Sequence, residues 1–291
     1  MTDPQEALLL ACQQVGVDPT GVELIRSAEN VIYRLPGGVV ARVSRDGQLA
    51  TAGKEVRVSR WLNESGIPAV RAIDDLPQPV AVDGRAVTFW HELPPHREGS
   101  IGQLAQVLQQ LHRLRPPASL ELPPLAPFVR LEQRIAEATV FSADDRAWLL
   151  DHLHGLHERY RELPPGLPHG AVHGDAWAGN IVDTDAGPVV LDLERFAFGP
   201  PEWDLVSVAV DHLTFSAEYA PGWTEFCHQY GYDVTDWPGL PVLRDARELR
   251  KVTFAAQLAR DNPALRDQAH YRLACIRGEH GNRPWGWQPV P

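Results

Sequence analysis

Short apolar runs separated by turn-forming residues characterise the chain between residues 20 and 91. Runs of this kind, bounded by Gly, Pro, Asn and Ser, are typical of strands in an antiparallel sheet. Asp83-Gly84, between two of the runs, is the strongest short signal for a tight hairpin. The pattern predicts five strands, at Val22–Arg26, Val31–Leu35, Val39–Val43, Val80–Val82 and Arg85–Trp90.

A different spacing, with apolar residues three and four positions apart, predicts helices. The first helix carries Leu8, Leu9 and Cys12 on one stripe and stops at Gly16, and we expect it to pack outside the first lobe. Ser142 is a favourable N-cap for a later helix, because its hydroxyl can accept a hydrogen bond from the first turn. The predicted helices are Pro4–Val15, Gln48–Asn63, Ile101–Leu114, Phe128–Val140, Ala143–Leu163, Glu202–Ala217, Gly222–Tyr230, Arg244–Arg260 and Asn262–Arg277.

The order of these elements divides the chain into two parts. With 291 residues, of which 44% are hydrophobic, the chain can bury one or two sizeable cores. Five predicted strands precede residue 93, and mainly helices follow, apart from three short predicted strands at Ala171-Val172, Ile181-Val182 and Val189–Leu193, the last two joined by a turn at Asp185-Ala186-Gly187. We therefore predict an α+β chain with a small N-terminal lobe at residues 1–93, in which a five-stranded antiparallel sheet carries a helix, and a larger, mainly helical lobe at residues 94–291.

The central stretch from residue 168 to residue 205 carries the candidate chemistry. Apolar runs at Ile181-Val182 and Val189–Leu193 follow a polar loop that contains His173, Asp175 and Asn180, and Asp192 lies at the end of the last run. Phosphoryl transfer needs a carboxylate that accepts the proton of an attacking hydroxyl, and oxygen ligands that hold Mg²⁺ against phosphates. Asp175 fits the first role, and Asn180 and Asp192 fit the second. In the alternative interpretation these residues only cap turns and end a strand.

Three sequence segments in this stretch resemble those of a known family. VHGDAWAGNIV, VLDLERFAFG and PPEWDL are similar to motifs of the aminoglycoside phosphotransferase and choline kinase superfamily, which shares the protein-kinase fold. The H-x-D-x-x-x-x-N spacing resembles the catalytic loop of protein kinases, with Gly174 and Ala176 where kinases usually have Arg and Leu. The resemblance implies a two-lobed protein-kinase-like fold that binds ATP and Mg²⁺ in the cleft between its lobes. For His173, a role in acid-base catalysis and a role in orienting the loop are both open.

The resemblance also implies nucleotide-binding residues in the first lobe. Ser27 and Asn30 lie in the segment that corresponds to the phosphate-covering turn of the family, although the same segment could be an ordinary hairpin connection. Arg42 stands where the family has a basic residue for the phosphates, and protein kinases use Lys there. Glu55 is the acid expected to pair with Arg42, although its neighbour Lys54 leaves the register open to a shift of one residue.

The segment after the fifth predicted strand corresponds to the hinge of the family. His91 and Leu93 would contact the adenine through their backbone groups. Asp204, in PPEWDL, is expected to be structural and to anchor this segment to the catalytic loop.

Acidic residues of the second lobe are candidates for substrate binding. Glu194 and Asp211 are proposed to contact the substrate, and Glu194 could instead reach the metal or form a salt bridge with a nearby Arg. Other residues could line a pocket for a polyamine or an amino sugar, or could belong to the surface or core. They are Glu218, Glu225, Asp233, Asp236, Trp223, Trp237, Trp285 and Trp287.

Charge and composition limit the kinds of ligand and partner that the sequence predicts. The net charge of −11 disfavours nucleic acid and favours a cationic ligand, although ordinary solubility explains the surplus equally well. Residues 1–93 carry nine Lys/Arg and twelve Asp/Glu, which leaves −8 for the rest of the chain. No apolar run approaches membrane-spanning length, Asp3 and Glu6 stand where a signal peptide would be basic, and the three cysteines show no C-x-x-C spacing. We expect a cytoplasmic monomer without a membrane or nucleic-acid partner.

The function predicted from the sequence is ATP-dependent phosphorylation of a small-molecule hydroxyl. The acceptor would be cationic, such as an aminoglycoside-like antibiotic or an amino sugar. A primary metabolite, such as a choline-like alcohol, a sugar or a hydroxy amino acid, is an alternative acceptor. A nucleotide-binding pseudokinase that regulates a partner is another alternative, although Asp175, Asn180 and Asp192 are all present, and degenerate family members usually lose one of them.

Overall fold

The structure is a computed structural model that describes residues 2–215 and 222–290. Within those residues the strands are β1 (Glu23–Ser27), β2 (Val31–Leu35), β3 (Val39–Val43), β4 (Val80–Val82), β5 (Arg85–His91), β6 (His96–Glu98), β7 (Gly170–Val172), β8 (Ile181–Thr184), β9 (Gly187–Val190) and β10 (Ala197–Gly199). The α-helices are α1 (Pro4–Val15), α2 (Leu49–Glu64), α3 (Ile101–Arg113), α4 (Leu131–Glu137), α5 (Ala143–Arg161), α6 (Glu202–Thr214), α7 (Trp223–Tyr230), α8 (Leu240–Asp261) and α9 (Arg266–Ile276).

The first five strands form one antiparallel sheet in the order β1-β2-β3-β5-β4. Successive side chains of a strand point to opposite faces, so Ala41 and Val43 of β3 pack with the core on one face. Val40 lies on the opposite face and packs with Val56 of α2 and Trp90 of β5. The same alternation places Arg42 on the face that α2 covers.

Helix α1 packs on the face of the sheet that carries Ala41 and Val43 and contributes to the core there. The side chain of Asp3 caps its first turn and Gly16 ends it in a left-handed conformation with a φ of 74°. Leu8 and Cys12 are fully buried in the core with residues of the sheet, so the expectation that this helix packs outside the first lobe was wrong, and Leu9 is 43% exposed. The predicted stripe was wrong at Leu9, because Leu8, Ala11 and Cys12 already define the buried face and Leu9 lies about 100° around the helix from Leu8.

A second sheet has the order β6-β8-β9. Ile181 of β8 lies opposite Val190 of β9, and the carbonyl of Asn180, just before β8, accepts a hydrogen bond from the N–H of Leu191 at 2.9 Å. The residue after Leu191 is Asp192. The hairpin register therefore places Asn180 and Asp192 at the same end of the β8–β9 hairpin.

Helices form most of the remaining structure. The longest, α8, packs against α4, α5, α6 and α9. Ser142 caps α5 as predicted, in a reciprocal arrangement with Asp145. The predicted helix Phe128–Val140 is shorter in the structure, because Arg130 adopts a left-handed φ of 62° and the helix begins only after it. The predicted helix Glu202–Ala217 was too long, because Phe215 is extended with a φ of −85° and a ψ of 175° and the helix ends at Thr214. Ala217 and Glu218 lie outside the described residues.

By their internal contacts the residues group into two units. Met1–Pro123 and Ala178–Ala197 form the first, and Pro124–Trp177 and Phe198–Pro291 form the second. The lobe boundary at residues 93/94 stays a prediction. Among residues 2–215 and 222–290, no helix combines the length and the apolar character needed to cross a membrane.

Candidate active site

Arg42 of β3 and Glu55 of α2, in the first unit, form an ion pair, as the sequence predicted. Glu55 is 4% exposed, and Glu194 Oε2 lies 3.3 Å from the second terminal nitrogen of Arg42. With its amide oxygen turned towards Arg42, Asn30 accepts hydrogen bonds from Nη2 at 2.6 Å and from Nε at 3.1 Å. Three segments of the first unit thus fix one guanidinium group, and its planar fork is suited to binding phosphate oxygens.

The acids around Arg42 give this cluster a surplus of negative charge. Burial, with smaller contributions from Glu194 and Asp192, raises the pKa of the Glu55 carboxyl to about 7 against the opposing effect of Arg42. Carboxylate and amide oxygens are also the ligands that Mg²⁺ prefers. Asn180 and Asp192 supply oxygen ligands of the type that suits a divalent cation, and their roles as its ligands stay predictions.

The register of α2 leaves Lys54 pointing elsewhere. Its ammonium group donates to the carbonyl of Glu194 at 2.6 Å and to that of Phe196 at 2.9 Å, so Glu55, and not Lys54, faces Arg42. Burial lowers the pKa of Lys54, against the opposing effect of Glu55 and Glu194. Lys54 holds the short turn that follows Asp192.

Asp192 has an unusual backbone conformation. Its φ is 49° and its ψ is 71°, in the left-handed region that non-glycine residues seldom occupy. Such conformations cost free energy and are concentrated at functional sites. Asn180, at the same end of the hairpin, is buried.

The turn between β1 and β2 lies beside the Arg42 cluster. Glu29 and Asn30 of this turn line a pocket together with Arg42, Glu55 and Glu194. The pocket lining does not include Ser27, which ends β1 opposite Val31. The contribution of Ser27 to phosphate binding stays a prediction.

The segment predicted as the hinge follows β5. The N–H of His91 donates to the carbonyl of Arg71 at 2.8 Å, and the N–H of Glu92 donates to the carbonyl of Gly38 at 2.7 Å. The amide of His91 is therefore engaged within the first unit. Adenine contacts by His91 and Leu93 stay predictions.

The loop that carries Asp175 belongs to the second unit and is anchored by Asp204 of α6. Asp204 is fully buried, and its two carboxylate oxygens accept hydrogen bonds from the N–H of His173 at 2.7 Å and from the N–H of Gly174 at 2.9 Å. Gly174 has a φ of 84°, a conformation that glycine adopts at little cost. The predicted structural role of Asp204 is confirmed.

His173 is buried beneath the same loop. Its Nδ1 accepts a hydrogen bond from the N–H of Asp175 at 3.3 Å. This contact favours the role of orienting the loop over a role in proton transfer, because the ring nitrogen is directed at the backbone.

Trp203 and Arg247 also hold this loop. Arg247 was not predicted from the sequence. Trp203 Nε1 donates to the carbonyl of Gly174 at 2.9 Å, and the Arg247 guanidinium stacks over the Trp203 ring at 3.8 Å. Arg247 lies on α8, far from Asp175 in sequence. One feature of the sequence could have indicated a buried role for Arg247, namely its place on α8 among apolar residues that are buried, such as Leu243, Ala246 and Leu249.

The predicted substrate-binding acids are partnered by basic residues of their own units. Glu194 contacts Arg42, and Asp211 Oδ1 lies 2.8 Å from Lys251 Nζ. For the tryptophans of the helical part, burial favours the alternative that they belong to the core, and a pocket-lining role stays a prediction. These tryptophans are Trp223, Trp237, Trp285 and Trp287.

Comparison with known proteins identifies the family. The model of the phosphotransferase enzyme family matches residues 21–243, and the chain belongs to this family. No curated protein matched the chain.

Solved structures with low sequence identity share the fold. An amicoumacin kinase in complex with AMP-PNP, Ca²⁺ and Ami is 14% identical, covers 92% of this chain and 93% of its own, and has a TM-score of 0.68. A choline/ethanolamine kinase family protein from Mesorhizobium loti is 17% identical over 95% of both chains, with a TM-score of 0.60. An aminoglycoside phosphotransferase from Streptomyces rimosus is 19% identical over 85% of this chain and 99% of its own, with a TM-score of 0.58. The predicted protein-kinase-like α+β fold is confirmed.

Proposed function

We propose that this protein transfers the γ-phosphoryl group of ATP to a hydroxyl group of a small molecule. The observation that carries this proposal is the anchored loop of Asp175, in which a buried carboxylate binds two successive backbone N–H groups next to the catalytic candidate. Phosphoryl transfer depends mainly on positioning and charge stabilisation, so a rigidly held carboxylate suits it.

Each candidate residue has a defined role in the proposed reaction. The carboxylate of Asp175 orients the acceptor hydroxyl and receives its proton as the hydroxyl oxygen attacks the γ-phosphorus, while the bond from that phosphorus to the bridging oxygen breaks and ADP leaves. Arg42, oriented by Glu55 and Asn30, binds phosphate oxygens. Asn180 and Asp192 would hold Mg²⁺, which neutralises phosphate charge when it is bound.

Two family relatives support the choice of ATP. The amicoumacin kinase was solved with AMP-PNP, an ATP analogue, and a spectinomycin phosphotransferase, 14% identical with a TM-score of 0.61, was solved with ADP and spectinomycin. Arg42, which Glu55 and Asn30 hold in the first unit, provides guanidinium donors for phosphate oxygens.

The acceptor that we propose is a cationic small molecule, such as an aminoglycoside-like antibiotic or an amino sugar. The net charge of −11 favours such a ligand over an anionic one. The similarity to a choline/ethanolamine kinase family protein supports a choline-like alcohol as the second candidate acceptor.

Phosphate transfer from Mg²⁺-ATP across a panel of aminoglycosides, amino sugars, choline-like alcohols and hydroxy amino acids tests this function. We expect turnover on one class and a loss of roughly 10³-fold in kcat for Asp175→Asn, because the variant cannot accept the proton. The matched control is Asp185→Asn, which changes an exposed aspartate in the β8–β9 turn and should leave turnover unchanged. Unaltered turnover in Asp175→Asn would refute the role of Asp175, and ATP binding without turnover on any acceptor would favour a regulatory protein.

A further inference from the structure

Arg247 connects α8 to the loop that carries Asp175. The residue is 5% exposed, and its Nη2 donates to the carbonyls of Gly174 at 3.3 Å and Trp203 at 3.0 Å. Its Nη1 lies 3.7 Å from Asp175 Oδ1. A buried arginine is costly unless it is hydrogen-bonded and compensated by a negative charge, and here Nη2 is hydrogen-bonded and Nη1 lies near a carboxylate.

We propose that Arg247 is a positioning residue for Asp175, an inference that depends on the proposed phosphotransferase function. One edge of the guanidinium is tied to the loop backbone, while Nη1 faces the carboxylate. The hydrogen bonds to the two carbonyls fix the position of the guanidinium relative to the loop. Its positive charge attracts Oδ1 of Asp175 towards Nη1. Arg247 thereby sets the rotation of the Asp175 carboxylate towards the acceptor hydroxyl.

The shape of the side chain explains why arginine serves here. The guanidinium plane stacks on the Trp203 ring, whose Nε1 donates to the same Gly174 carbonyl that Arg247 contacts. Lysine has a compact ammonium group that cannot stack on the ring and, with one nitrogen, cannot bond the carbonyls while a second nitrogen faces the carboxylate. The Asp175 side chain is 42% exposed, so its carboxylate stays accessible while it lies beside Arg247.

A double-mutant cycle on turnover tests this inference. We expect Arg247→Met to lower kcat by roughly 10²-fold, because a displacement of about 1 Å at the reacting group can cost this much. KM for ATP should change by less than about 3-fold. Arg247→Lys should lower kcat less than Arg247→Met does. In the Asp175→Asn background the same Arg247 substitutions should change the residual rate by less than about 3-fold, because the group that Arg247 positions is gone.

The matched control is Arg250→Met. Arg250 lies on the same helix and donates to the carbonyl of Pro127 at 3.1 Å. This substitution also removes a bond from arginine to a carbonyl, but not from the Asp175 loop, so kcat should stay within about 3-fold of wild type.

Urea denaturation of the same variants provides a readout that does not depend on turnover. If Arg247 and Asp175 interact, the midpoint shifts of Arg247→Met and Asp175→Asn will not add in the double variant. Should Arg247→Met fail to fold, Arg247→Lys serves in both cycles.

The outcomes distinguish failure of the inference from failure of the proposed function. If the wild type turns over but the Arg247 substitutions reduce kcat by the same factor in the wild-type and Asp175→Asn backgrounds, Arg247 is only structural and the inference is overturned. Additive midpoint shifts overturn it as well. If the wild type turns over no acceptor and hydrolyses no ATP, the proposed function fails and the inference fails with it.

Discussion

The carboxylate of Asp204 binds the backbone N–H of Gly174, which lies 30 residues earlier in the sequence, at 2.9 Å. The same side chain also binds the N–H of His173, so one fully buried acid satisfies two loop donors. An amide in its place could accept one of these bonds but would present an NH₂ group to the other donor.

We therefore expect Asp204→Asn to lower the free energy of unfolding by about 3 kcal/mol, because a buried N–H would lose a charged acceptor. Urea denaturation measures this change, with the exposed Asp185→Asn as the control. A variant as stable as wild type would show that the two hydrogen bonds do not hold the loop.

Arg42→Met should destabilise the first unit as well as weaken ATP binding. Removing the arginine leaves the buried Glu55 without its cation, at a cost of about 3 kcal/mol near neutral pH. The double variant Arg42→Met/Glu55→Met should recover part of this loss, since no uncompensated carboxylate remains. Urea denaturation at pH 8 measures the first effect and ATP titration the second. If the double variant were less stable than Arg42→Met, the cost would come from lost packing instead.

The raised pKa of Glu55 predicts a pH dependence of stability. An ordinary glutamate ionises near pH 4.5, as it would in the unfolded chain, whereas Glu55 in the folded chain ionises near pH 7. Between these values the folded state holds a proton that the unfolded state has released, so the free energy of unfolding falls as pH rises. The decrease attributable to Glu55 should total about 3 kcal/mol from pH 4.5 to pH 8.

Glu55→Gln should remove this contribution. Denaturation of the wild type and the variant at several pH values, without nucleotide or Mg²⁺, measures the difference between their pH profiles. Parallel profiles would contradict the assignment of the raised pKa to Glu55.

Lys54→Met should loosen the turn after Asp192. The ammonium group bonds the carbonyls of Glu194 and Phe196, and methionine keeps the length of the side chain without a donor. Leaving these carbonyls without this donor should cost about 2 kcal/mol of stability. If Asp192 holds Mg²⁺, the Mg²⁺ concentration for half-maximal turnover should also rise. A change in stability without a change in Mg²⁺ dependence would separate Lys54 from the metal site.

The sequence predicted features whose causes are local. The strand β3 was predicted at its observed bounds, and the alternation of its side chains is the reason that Arg42 meets Glu55. Helix α4 was predicted too long, because nothing in the sequence marks the left-handed conformation of Arg130. Helix α8 starts earlier than predicted, at Leu240, where Pro241 is accommodated in the first turn.

Features that depend on distant contacts could not be predicted in this way. Arg247 is one of many arginines in the sequence, and only the packing of α8 against α6 brings it to Asp175. The ion pair between Asp211 and Lys251 could not be predicted either, because the two residues lie 40 positions apart in sequence. Single-sequence patterns carry no information on such pairs.

Because Asp192 has a left-handed backbone conformation, a substitution that stabilises the fold at this position is expected to reduce activity. Glycine adopts a φ of 49° with less strain, so Asp192→Gly should stabilise the fold while it removes the carboxylate. Selection for thermal tolerance alone would therefore favour a residue that abolishes the proposed phosphotransfer. In a directed-evolution experiment, position 192 is one at which screening for stability without screening for turnover would yield a more robust but inactive protein.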